Sequence, residues 1–182
     1  QAENELREIA TILCPIENKN DSSWDRGAQE FVYGTMMAML EDSLIPELGM
    51  TREKFNFYNL SRIANFKDPD PDNPYKTLRQ YYLGRDSFSK VLQLVTTAIN
   101  NAPTTTKSYM GIVSARLGIF NDSGMCFATS LNEMEFDTFA EKPTALFIII
   151  PDEKESRHGI ATMCISQLYK KLVDLANNYP ES

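Results

Sequence analysis

One histidine, three cysteines and a few short acidic runs are the residues from which this chain could assemble chemistry. His158 alone excludes a histidine-pair metal site and any nucleophile constellation that needs a second histidine. It sits in a turn ahead of the last predicted helix, where a solvated role explains it better than catalysis does. Asp152, Glu153 and Glu155 follow an apolar run, at what would be the carboxyl end of a strand. Ligands bind there in open α/β sheets, although a hydrophilic turn accounts for the same residues. Asp68, Asp70 and Asp72 alternate like the start of a calcium loop, but Asn73 stands where the sharp turn wants glycine and Arg79 where a bidentate glutamate should close the shell. Cys14, Cys126 and Cys164 are odd in number and far apart, a pattern of reduced thiols acting as small hydrophobes. No glycine precedes a lysine anywhere, so a phosphate-cradling G-x-x-x-x-G-K-[ST] loop is absent. The inventory predicts no catalytic residues, no metal and no cofactor within these 182 residues.

The elements that would position any site read as mainly α. Leu6, Ile9, Ala10 and Leu13 recur at helical spacing, with acids early and Pro15 at the end. Ser22 or Ser23 then starts a long helix to about Leu44, on the order of 30 Å, with Trp24, Ala28, Phe31, Val32, Thr35, Met36, Met39 and Leu40 on one face. Core packing accounts for its methionines better than an adaptable groove does. Shorter helical patterns cover 57–66, 75–82, 87–99 and 105–120, broken by the Asp/Pro loop 67–74 and by Pro103. Met125 to Thr129 reads as a short strand, and 131–141 as an acidic connector. Residues 142–150 form a run apolar on both alternating faces, which belongs in the middle of a parallel sheet. One strand cannot make that sheet, so its partners are expected outside these residues. A polar turn and an amphipathic helix over 159–177 follow. The division predicted is an all-helical unit over 1–130 and part of an α/β domain over 131–182. Its core is predicted to include Trp24, Phe31, Met36, Leu117, Phe147 and Ile149.

Composition is that of a soluble globular protein, with 42% hydrophobic and 24% charged residues, and no run long enough to span a bilayer. The net charge of −7 is unevenly spread: −7 over residues 1–50, +4 over 51–130 and −4 over 131–182. A duplex-binding surface needs a basic footprint, and only the middle third offers one. Lys67, Lys76, Arg79, Arg85 and Lys90 are its candidate partner or nucleic-acid contacts, and a solvated helical face explains them about as well.

Ser23-Trp24-Asp25-Arg26-Gly27-Ala28-Gln29-Glu30-Phe31 opens the long helix. Lys107-Ser108-Tyr109-Met110-Gly111-Ile112-Val113 runs on to Leu117-Gly118-Ile119-Phe120. Lys142 to Asp152 carries the apolar run, with Ser166-Gln167-Leu168-Tyr169 beyond it. In this order the three segments resemble the type IV secretion system coupling proteins, the TraG/TraD-type conjugation ATPases. The resemblance spans nearly the whole chain. It implies an all-helical domain inserted after a nucleotide-binding loop, then a return to a RecA-like sheet through residues 142–150. The Walker A loop lies upstream and the Walker B strand downstream in that family, so ATP and Mg are implied for the parent and not for these residues.

What the resemblance implies for function is recruitment. The helical domain would dock a relaxase or other relaxosome or secretion-substrate protein at the cytoplasmic face of the membrane, in a membrane-anchored homohexamer. The acidic first helices suggest a partner with a basic patch, with DNA contacted weakly. A DNA-contacting helical module of the same or another translocase is the alternative. Residues 142–150, cut from their sheet, are expected to promote self-association.

Overall fold

A computed structural model describes residues 2–17, 22–131, 136–140, 142–150 and 157–178. The chain divides into two compact units, 1–130 and 131–182. Eight α-helices are present among the described residues and no strand.

In the first unit, α1 (Ala2–Leu13) leads to α2 (Ser23–Ser43). They are followed by α3 (Phe57–Ala64), α4 (Lys76–Leu83), α5 (Lys90–Ile99), α6 (Pro103–Leu117) and α7 (Ser123–Ser130). The apolar spacing seen in the sequence understates α2. Every residue from Phe31 to Met39 is buried, because α1, α3, α5 and α6 pack around it. A helix enclosed in this way has no polar face to present. Its second face is made of small residues. A Cβ on Gly34 would lie 2.7 Å from Val95 Cγ1 and 2.9 Å from Leu94 Cβ, so the missing side chain is what lets α5 approach. Gly27 does the same for Tyr109 of α6, whose ring would meet a Cβ at 2.2 Å.

Thr35, also buried in α2, satisfies its hydroxyl on the Phe31 carbonyl at 2.8 Å and shares a 2.7 Å hydrogen bond with the Tyr82 hydroxyl of α4. Burial raises the Tyr82 phenol well above its ordinary range, and the ring sits edge-on to Phe31 at 5.5 Å. Phe31, Met36 and Leu117 are all buried. Trp24 is not a core residue: it is 36% exposed and leans on Tyr109 at 4.6 Å. With Gly27 vacating the space, Tyr109 takes the inner position and the indole covers it from outside.

Two further expectations are corrected. Met125–Thr129 is helical, within α7, whose start is fixed by Asp122 accepting the Met125 N–H at 3.0 Å. A five-residue apolar run cannot by itself separate a strand from a helix, and an acidic cap decides here. Residues 142–150 carry neither helix nor strand. Phe147 and Ile149, expected in a core, are 85% and 91% exposed. A strand exists through its ladder, and no described segment pairs with this one.

In the second unit, α8 (His158–Asn178) packs with a 3-10 turn over Phe136–Ala140, where Phe136 and Phe139 meet edge to face at 5.7 Å. His158 is the first residue of α8. Asp152, Glu153 and Glu155 lie outside the described residues.

Candidate interaction surfaces

The basic residues singled out in the sequence divide sharply by environment. Arg79, in α4, donates from Nε to the Ile99 carbonyl at 2.8 Å and from a terminal nitrogen to Asn101 O at 3.3 Å. It therefore caps the carboxyl end of α5, where a cation complements the helix dipole. Arg85 lies between α4 and α5 with its side chain only 10% exposed, 2.7 Å from Asp42 and 3.1 Å from Glu41 of α2. The Tyr81 hydroxyl donates to the other Asp42 oxygen at 2.6 Å, Ser89 donates to Glu41 at 2.7 Å, and the guanidinium stands 4.7 Å from the Tyr81 ring centre. Burial and the Asp42 carboxylate together push the Tyr81 phenol well above its usual range. Lys90 reaches Glu3 of α1 at 2.7 Å, a hydrogen bond that raises the ammonium and lowers the carboxylate in pKa. Lys76 is exposed at the start of α4.

Arg79 and Arg85 are therefore engaged by the fold itself, and Lys90 pairs with Glu3 at the surface. Elsewhere Arg116 of α6 meets Glu17 at 2.6 Å and Asp25 at 3.9 Å. Acids of the first fifty residues and bases of the middle third are partners across the unit, and the charge imbalance along the sequence is correspondingly reduced at the surface.

The Arg85 clamp does something else. It ties the end of α2 to the α4–α5 connection, and the segments that flank it in sequence carry exposed apolar side chains. Leu44, two residues beyond Asp42, is 77% exposed, and Ile45 and Leu48 are 47% and 59% exposed. Leu83, two residues before Arg85, is 48% exposed, and Phe88, beside Ser89, is 95% exposed. A Pro46–Leu48 3-10 turn, closed by Gly49 at φ 65°, holds the first of these segments. Backbone with positive φ favours glycine, and the Gly49 N–H donates to Pro46 O at 3.0 Å. Apart from Leu83, the last residue of α4, these residues escape periodicity arguments because they lie in connections. The available signal was three large aliphatics and a phenylalanine in segments otherwise rich in Glu, Asp, Ser and Gly.

A separate apolar cavity of about 210 Å³ lies among Leu6, Ile9, Met36, Met39, Phe55, Phe57 and Leu60. The polar residues on its wall are engaged locally: Asn56 accepts from Asn59 N and donates to Glu53 O, and Thr129 donates to Met125 O. Among the described residues no group of three or more His, Cys, Asp or Glu is placed to hold a metal ion. No described helix is long and apolar enough to cross a membrane.

Comparison with protein-family models, with curated proteins and with solved structures finds no match to this chain.

Proposed function

We propose that the helical unit 1–130 is a protein-recognition module, and that it is the substrate-recruiting all-helical domain of a type IV secretion coupling protein. The observation that carries recognition is the exposed apolar surface of Leu44, Ile45, Leu48, Leu83 and Phe88, braced by the Arg85 clamp. Large side chains exposed together at a rigid site mark protein contact surfaces, where a buried aromatic anchor supplies much of the affinity. Phe88 is that anchor. Glu47, in the turn that carries Leu48, and Asp86, two residues before Phe88, are exposed and suit a partner whose apolar segment is flanked by basic residues. The relaxase, or another relaxosome or secretion-substrate protein, is the partner class that the family resemblance supplies.

A duplex-contacting function is less well supported, because Arg79, Arg85 and Lys90 are bound within the unit and Lys67 and Lys76 would have to carry it. No ATPase activity is proposed for these residues, whose sequence lacks the Walker A loop. Residues 142–150 are proposed to complete a strand of the RecA-like sheet when neighbouring strands of the parent are present. Alone they provide a route to self-association at the cytoplasmic face of the membrane, where the parent would assemble as a hexamer.

The test is binding of a purified relaxase to the chain and to Phe88→Asp and Leu44→Asp variants. Both side chains are exposed, so the variants should melt like the parent and lose at least about tenfold in affinity. Unchanged binding in both would reject this surface.

A further inference from the structure

Arg62 and Lys67 differ from the cations that tie the unit's elements together. Arg7, Arg85, Lys90 and Arg116 each reach a carboxylate. Arg62 and Lys67 stand in none of the ion pairs among the described residues. Both are exposed, and both line a polar cavity of about 390 Å³ with Ser61, Asn65, Phe66, Ser114 and Asn121. No acidic side chain lines it. The acids next to it in sequence are committed elsewhere. Asp68 accepts from the Thr77 backbone at 2.8 Å and from its hydroxyl at 2.5 Å, and Asp122 caps α7.

Several backbone carbonyls near this region already have donors. Ser61 O accepts from Asn65 N and Nδ2, Ile63 O from Phe66 N, and Leu117 O from the Ser61 hydroxyl. Arg62 is held toward Tyr58, whose hydroxyl accepts a 3.4 Å bond from a terminal nitrogen and whose ring centre lies 5.7 Å from the guanidinium, and its remaining N–H groups can serve a ligand.

Phe66, 46% exposed, also lines a second cavity of about 340 Å³ with Arg62, Ile63, Thr77, Leu78 and Tyr81. One aromatic ring thus separates a cationic, hydroxyl- and amide-lined pocket from an apolar one, and Arg62 borders both.

We infer that this bipartite pocket binds a phosphate ester: the phosphoryl oxygens between Arg62 and Lys67, the planar or apolar half of the molecule against Phe66. A guanidinium pairs with phosphate through parallel hydrogen bonds, an ammonium supplies a second charge, and aromatic faces accept bases without regard to sequence. The two pockets together are large enough for a mononucleotide. Without a backbone nest the site is a weak one, and it implies no hydrolysis. It rests on residues apart from the Phe88 surface, so either proposal can fail alone.

The experiment is a titration of the full chain with inorganic phosphate, a 5′-mononucleotide and a short single-stranded oligonucleotide at matched ionic strength. Backbone amide shifts of residues 61–67, 114 and 121 are the readout. Expected are saturable shifts at these positions, weakened at least about tenfold in Arg62→Ala/Lys67→Ala for all three ligands. Phe66→Ala should weaken the mononucleotide by about tenfold and leave inorganic phosphate unchanged. All three side chains are exposed, so unaltered melting curves are expected to confirm folded variants. An oligonucleotide that binds much more tightly than the mononucleotide, with a steep salt dependence, identifies a polymer as the source of the phosphate. Equal affinity identifies a free nucleotide. Shifts absent from these residues, or identical in the double variant, would overturn the inference.

Discussion

Replacing Arg85 by methionine separates a structural clamp from a surface cation. The substitution keeps much of the aliphatic length and removes the bonds to Asp42 and Glu41 together with the stack on Tyr81. Breaking a buried ion pair from one side costs about 3 to 5 kcal/mol, because a carboxylate is left without its counter-charge. Two features place Arg85 at the lower end. Asp42 keeps the Tyr81 hydroxyl at 2.6 Å, and the Arg85 Nε, buried without a hydrogen-bond partner, disappears with the substitution. A loss of about 3 kcal/mol in a unit of this size lowers the melting temperature by roughly 10 to 15 °C. Since both side chains are about nine-tenths covered, the loss should persist at high salt. Lys90→Met, which removes an ion pair whose members are 64% and 46% exposed, should fall within about 0.5 kcal/mol of the parent. Thermal melts of both variants, with Asp42→Asn to close a double-mutant cycle, measure the coupling directly. If Arg85→Met melts with Lys90→Met, the clamp does not exist in solution and Arg85 is free for a partner.

Three other substitutions or titrations probe the packing. Gly34→Ala should gain about 1 kcal/mol in helix propensity and lose about 1 to 3 kcal/mol to overpacking against Val95 and Leu94, so a raised urea midpoint would contradict the close approach of α5. Trp24→Ala, removing a partly exposed ring, should cost about 1 to 2 kcal/mol and leave the fold intact; a loss above about 4 kcal/mol would return the indole to the core. Burial raises the Cys14 thiol from its ordinary 9.0 to about 12, so the unfolded chain releases this proton first. The stability associated with it is complete below pH 9 and falls as pH rises toward 12. Cys14 should also resist thiol reagents at pH 8 until the chain unfolds; rapid labelling of the native protein would refute its burial.

Much of the helical unit is legible in the sequence because its helices are amphipathic at period 3.6. The signal weakens where that premise fails. Around α2 the apolar residues of one face are readable, whereas the contact with α5 depends on Gly34 and Ala38, whose meaning is an absence of side chain. α7 is too short for periodicity and is decided by a capping aspartate. Residues 142–150 have strand composition without a strand, since composition gives the preference and only a neighbour can satisfy it. The surface around Phe88 and the Arg62–Lys67 pocket are built from connections and helix ends. There, function depends on which segments meet, information that local pattern does not carry.

Charge shows the same limit most clearly, and it changes how recognition should work. A sequence with −7 in its first fifty residues and +4 in the next eighty suggests a dipolar surface that steers partners from a distance. In the fold the two blocks face one another: Glu3 with Lys90, Glu17 and Asp25 with Arg116, Glu41 and Asp42 with Arg85. Pairs at these distances act largely as local dipoles, whose fields decay faster than those of single charges and are screened further within about 8 Å at physiological salt. Long-range attraction is therefore the weaker contributor, and selectivity must come from contact. That is why the Phe88 surface, and not the acidic first helices as a whole, is the feature on which recruitment of a protein partner is made to rest. The same reasoning gives Arg62 and Lys67 their weight: two cations that line one pocket, with no carboxylate on its wall, are a local charge left for a ligand to neutralise.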